Sequence, residues 1–113
     1  MVRRGELWWA RLGKPRGTSP GYDRPVVIVQ SDLLNETAIG TFLCAVVTSN
    51  LQLLGSEGNV ALLTRESGLP KESVVNVTQL LAIDNADLSE RITMLGAKTM
   101  RLIDAGLRFA LDV

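Results

Sequence analysis

Up to Gly96, apolar residues come in short runs separated by turn-forming clusters; after it they recur at helical spacing. Val26-Val27-Ile28-Val29 is wholly apolar and β-branched, the pattern of a strand buried on both faces. Phe42-Leu43-Cys44-Ala45-Val46-Val47 reads as a second central strand. Glu6 to Leu12 alternates imperfectly and predicts a first strand, with Leu7, Trp9 and Leu12 on one side and Trp8 on the other. Val60 to Leu63 and Ser73 to Val77 predict further strands, and Gln79 to Ile83 and Arg91 to Met94 two short apolar pieces. From Ala97, Met100, Ile103, Leu107 and Leu111 share a helical face, with Gly96 as its boundary. Gly106 weakens that helix by about 1 kcal/mol relative to Ala, but its size lets another element approach closely. Many short strands followed by one helix predict a single mainly β domain over residues 1–113, a small bent barrel with a C-terminal helix.

The connections carry most of the polar chemistry. Gly13 to Asp23 forms a long loop with three Gly and two Pro. Loops of this length in small domains tend to be functional or mobile. Lys14, Arg16, Thr18 and Ser19 are donors suited to phosphates, although no P-loop signature is present. Arg24 follows, held toward extended geometry by Pro25. A cationic fork at the rim of a core strand suits an anion, and equally suits a structural arginine closing a loop. Thr48-Ser49-Asn50 places small polar groups at the end of a buried strand, or simply begins a turn. Ser31 or Asp32 caps a single helical turn, and Thr64 to Glu72 reads as a polar loop. Trp8 covers a hydrophobic patch, packs on a partner or stacks on a base; packing is the more economical reading.

Composition narrows the chemistry. The chain has 113 residues, no His and one Cys. Histidine triads, histidine acid–base pairs and the common zinc sites are therefore excluded, as are disulfides and Cys-based metal sites. No metal or cofactor is expected. No stretch approaches the ~18–20 apolar residues of a membrane span, and no apolar signal core follows Arg3 and Arg4, so a cytoplasmic protein without a membrane partner is expected. Residues 1–24 hold six bases against two acids, net +4, and the remainder six bases against ten acids, net −4. A basic N-terminal part hints at an anionic partner, although a solvated charged face explains the charge alone as well.

Five motifs then stand in order: Arg4-Gly5-Glu6-Leu7-Trp8, Tyr22 to Gln30, Ala45-Val46-Val47-Thr48-Ser49, Ser73 to Gln79, and Ile83-Asp84 before the terminal helix. Together they resemble the MazF/PemK toxins of bacterial toxin–antitoxin pairs over nearly the whole chain. The resemblance implies an SH3-like β-barrel that assembles as a homodimer. It implies metal-independent, sequence-selective cleavage of single-stranded RNA, and a cognate antitoxin that blocks the RNA groove. It places the catalytic arginine on Arg24 and the catalytic threonine on Thr48. Substrate contacts fall in the loop before Arg24, from Lys14 to Asp23, with Lys14, Arg16, Thr18 and Ser19 as its donors, and at Ser49, Asn50 and Gln79. The loop departs from the family's Ser-Glu-Gln-Gly-like run: Ser19 and Gly21 match, the Glu and Gln do not. After Gln79, Leu81 and Ala82 stand in the region where the family often has Arg and Thr. Both departures bear on base specificity.

RNA carries its own nucleophile, the 2′-OH. Arg24 suits charge stabilisation at the phosphate, and Thr48 a second hydroxyl contact. Arginine side chains keep their proton at neutral pH, so water or a carboxylate must take the first proton. Asp23, adjacent in a strand, is expected on the opposite face from Arg24. Two rival functions are a gyrase-poisoning toxin of the same barrel, acting through its terminal helix, and a non-catalytic RNA- or protein-binding barrel.

Overall fold

The computed structural model describes residues 1–18 and 21–113. The described residues form six strands: β1 (Glu6–Arg11), β2 (Asp23–Ile28), β3 (Thr41–Thr48), β4 (Val60–Leu62), β5 (Ser73–Asp84) and β6 (Leu88–Met94). Two helical turns, α1 (Asp32–Asn35) and α2 (Thr64–Ser67), and a terminal helix, α3 (Ala97–Leu111), complete the fold with short 3-10 turns. The strands form one antiparallel sheet in the order β4-β5-β3-β2-β1-β6.

Both faces of this curled sheet are largely covered, which is why Val26 to Ile28 of β2 and Phe42 to Val47 of β3 are apolar. One core gathers Leu7, Val27, Ala45, Val47, Val75 and Ile103, with α3 closing it. The other gathers Ala10, Val26, Ile28, Cys44, Val46 and Ile83. Trp9 packs on the first core and Trp8 on the second. Leu12 packs with Trp8 rather than with Leu7, because alternation carried through β1 puts even-numbered residues on that face.

β5 is longer than its apolar pieces suggest. Ser73 to Val77 and Gln79 to Ile83 belong to one strand, sharply bent between them. Its pairing with β3 jumps from Leu80 opposite Ala45 to Asn76 opposite Val46. The amides displaced from the ladder are caught by asparagines: Val77 N–H donates to Asn59 Oδ1 at 3.0 Å, and Thr78 N–H to Asn76 Oδ1 at 3.0 Å. Such a bulge curls a sheet toward closure. β6 begins at Leu88, three residues before the predicted Arg91.

The tail is helical from Ala97 with Gly96 as N-cap, as its spacing predicts. Ile103 is buried and Met100 and Leu107 are half-buried, but Leu111 is exposed. At 3.6 residues per turn Leu111 lies roughly 80° round from Ile103, and it ends the helix. Gly106 makes the expected close approach: a Cβ there would overlap the carbonyl oxygen of Gly58.

Thr64 to Glu72 is not all loop. Thr64–Ser67 makes a helical turn stopped by Gly68 in the left-handed region, φ +71°. Glu66 on that turn accepts from Thr99 Oγ1 at 2.7 Å and from Gly96 N–H at 3.3 Å, and so caps α3 from outside the helix. Ser31 caps α1 as expected, accepting from Leu33 N–H.

Candidate active site

β2 and β3 are neighbours, and their register positions the two residues that the sequence singles out. Val26 pairs with Val46, Val27 with Ala45 and Ile28 with Cys44. Carried two residues further, that register sets Arg24 opposite Thr48. Side chains opposite one another on an antiparallel ladder hold their Cβ atoms about 4.5–5.5 Å apart. Arg24 lies within β2 rather than just before it, because the strand starts at Asp23.

Arg24 and Thr48 open onto one cleft of about 380 Å³. Trp9, Val47 and Leu69 give it an apolar base, Ser49 extends the Thr48 side, and Pro70, Lys71 and Ser73 form a further wall. The size suits a nucleotide-sized ligand. Arg24 is half-buried, and its Nε makes one long contact, 3.4 Å to the Gly21 carbonyl. The ion pairs among the described residues are Arg4–Asp104 and Arg91–Glu6, so no carboxylate clasps the Arg24 guanidinium. Thr48 Oγ1 accepts from Asn50 N–H at 3.2 Å. That bond occupies a lone pair and leaves the hydroxyl proton to be donated elsewhere.

The remaining sequence-predicted contacts divide. Ser49 lines the cleft. Asn50 does not: its side chain accepts from Gln52 N–H at 3.2 Å and caps the following 3-10 turn. Gln79 sits half-buried at the bend of β5, away from the cleft. Lys14 and Arg16 are exposed and line a separate groove with Arg11, Ala82, Asp84 and Asp87. The loop leaves the hairpin after Leu12 N–H bonds the Tyr22 carbonyl at 2.8 Å, and its first half lies against the far part of β5. Thr18 is exposed and lines neither groove. Ser19 lies outside the described residues.

The cleft also holds residues that sequence reasoning set on another face or did not name as site residues. Asp23 lines it beside Arg24, since at the open end of the sheet adjacent strand positions can border the same cleft. Trp9 reaches it from β1, and Lys71 from the segment after α2. Gly68 and Pro70 flank Leu69 as helix-stop signals, the available hint that this segment is built rather than slack.

The lone thiol belongs to the core. Burial pushes Cys44 up to about 12, and its Sγ donates to the Phe42 carbonyl at 3.3 Å. Among the described residues no three His, Cys, Asp or Glu side chains gather as metal ligands do.

A family model described as PemK-like, MazF-like toxin of type II toxin-antitoxin system matches residues 3–111. The chain belongs to this family. Endoribonuclease MazF2 of Mycobacterium bovis and Endoribonuclease MazF6 of Mycobacterium tuberculosis are each 41% identical to it over 113 residues, all of this chain and 99% of theirs. Among solved structures, MazF from Deinococcus radiodurans superposes with a TM-score of 0.81 at 20% identity, covering 99% of this chain and 97% of that one. Mycobacterium tuberculosis toxin MazF-mt6 gives 0.78 at 22%, covering 96% and 97%. A mycobacterial endoribonuclease in complex with its cognate antitoxin gives 0.76 at 20%, covering 99% and 94%. These superpositions establish the MazF-like fold, and with it the barrel and terminal helix read from the sequence. No helix among the described residues is long and apolar enough to cross a membrane.

Proposed function

We propose that this MazF-like chain is the endoribonuclease of a toxin–antitoxin pair, cutting single-stranded RNA at the cleft between Arg24 and Thr48. The supporting observation is the cross-strand placement of a guanidinium and a hydroxyl at one open cleft. RNA lying there would present its scissile phosphate to both groups. The 2′-oxygen attacks phosphorus and the P–O5′ bond breaks, leaving a 2′,3′-cyclic phosphate and a 5′-hydroxyl. On this reading Arg24 donates to the non-bridging oxygens as their charge grows and gives the leaving 5′-oxygen its proton, which solvent then restores. Thr48 hydrogen-bonds through its free hydroxyl proton to a non-bridging oxygen of the same phosphate, without transferring it. The 2′-OH proton passes to solvent at the open mouth or to Asp23, the one carboxylate lining the cleft. Ser49 extends the binding surface.

Lys14, Arg16 and Thr18 act on this reading as outer contacts that follow the RNA beyond the cleft, and Asn50 shapes the backbone after Thr48. The working form is a cytoplasmic homodimer inhibited by a cognate antitoxin. Mapping cleaved ends across total RNA in chelator, with Arg24→Ala as control, tests the activity. Defined cut sites with 5′-hydroxyl ends, absent from the variant, support it. Activity lost in chelator, or 5′-phosphate ends, contradict it. An Arg24→Ala protein that stays toxic while a change within Leu107–Val113 abolishes toxicity would point instead to a gyrase poison.

A further inference from the structure

We infer that Lys71 is a substrate-binding residue of this cleft, holding the phosphate next to the one engaged by Arg24 and Thr48. The inference rests on the endoribonuclease reading and adds a residue to it. Lys71 lines the same cleft but comes from a different wall, between α2 and β5. Its backbone is pinned on both sides. Ser67 Oγ accepts from Leu69 N–H at 3.0 Å, and the Leu69 side chain is buried. Pro70 fixes its own φ, and Ser73 Oγ donates to the Lys71 carbonyl at 3.0 Å.

The side chain itself is exposed, and neither ion pair among the described residues involves it. Most exposed lysines are simply solvated. This one faces a cleft that already holds a second cation, Arg24, and a single acidic lining residue, Asp23. Two cations converging on one cleft repel each other unless an anion lies between them. A polynucleotide supplies one charge per nucleotide, so with Arg24 and Thr48 on the scissile group, the ammonium meets its neighbour. Lysine contributes there as a flexible point charge, which favours binding over the geometry of bond breaking.

The test uses a short single-stranded RNA containing a mapped cut site, in all-ribose form for kinetics and with 2′-deoxyribose at the cut nucleotide for binding. Wild type, Lys71→Gln and Lys71→Arg are compared across a salt series, after melting curves confirm equal folding. Lys71→Gln is expected to raise KM and weaken binding about three- to tenfold, with kcat within about twofold. Its slope of log affinity against log salt becomes shallower by about 0.7, the value of one phosphate contact on a single strand. Lys71→Arg restores both. Unchanged KM and salt slope in Lys71→Gln, or a fall in kcat instead, overturn the inference while leaving the endoribonuclease reading intact. A wild type that neither binds nor cuts RNA overturns both.

Discussion

Arg24 stands across the β2–β3 ladder from Thr48, in continuation of the register that pairs Val26 with Val46. Two neighbouring strands thus carry a guanidinium and a hydroxyl to one rim, each touched by the backbone of an adjoining loop. A reaction that supplies its own nucleophile needs little more than such alignment and charge stabilisation. Arg24→Ala should lower kcat about 10²–10³-fold or more, with melting temperature little changed. Arg24→Lys should recover only a fraction, because an ammonium cannot donate as a planar fork. Steady-state cleavage of a fluorogenic RNA measures both.

Thr48→Ser keeps the hydroxyl and Thr48→Val keeps the shape. The serine variant should retain most activity and the valine variant should lose it, roughly in line with the loss of one transition-state donor. Single-turnover rates separate them. Equal rates would reduce Thr48 to a strand residue.

Acid should destabilise the fold through Glu6 and Asp32. Burial disfavours the Glu6 charge, but the Arg3 N–H, the Arg91 guanidinium and the Trp8 indole outweigh it and hold the carboxyl below its ordinary 4.5. The Arg4 N–H, aided by Asn35, holds Asp32 below its ordinary 3.8. A carboxyl whose folded value is depressed binds its proton more readily when unfolded. Its stabilisation is therefore complete above the ordinary value and fades as pH falls below it. Once the solution is acid enough to protonate the folded form, none remains. Urea unfolding from pH 7 to pH 3 should show this contribution unchanged down to about the ordinary 4.5 of Glu6 and falling below it, with a shallower fall in Glu6→Gln.

Gly106→Ala gains helix propensity and loses the helix–turn contact. A methyl group would collide with the Gly58 carbonyl, and Gly58 has φ +93° and little freedom to move. The expected outcome is net destabilisation of about 1–2 kcal/mol, read by thermal or urea unfolding. A stabilised variant would mean that α3 shifts more easily than this packing implies.

Cys44 should resist labelling. A buried thiol with its value near 12 offers almost no thiolate at neutral pH. Reaction with a thiol reagent should be slow in the native protein and accelerate as denaturant unfolds it.

Much of this architecture was legible in the order of residues. Val26–Val29 and Phe42–Val47 are apolar because their side chains fill the cores on both faces of the sheet, with Leu43 the one exposed position. The face of α3 was readable from its period, and Gly106 from its size. The bend in β5 was not, since Asn59 and Asn76 satisfy the displaced amides from positions that look like ordinary turn and strand residues. The site was half legible. Arg24 and Thr48 stand in family-like motifs, but their meeting depends on a strand register that sequence spacing leaves open. Lys71 escaped notice and Asp23 was set on the wrong face, because their positions depend on where a loop wall and a strand end fall in space. Lys14 and Arg16 looked like cleft residues by charge, and the path of their loop carries them to another groove.

The most direct test of the chemistry at Arg24 and Thr48 is one atom in the substrate. An RNA with a mapped cut site is compared with the same strand lacking only the 2′-hydroxyl at the cut nucleotide. The deoxy strand should bind as the parent does and remain uncut, while the parent yields a 2′,3′-cyclic phosphate and a 5′-hydroxyl. Cleavage of the deoxy strand at the parent's rate would contradict attack by the 2′-oxygen and the role assigned to the Arg24–Thr48 pair.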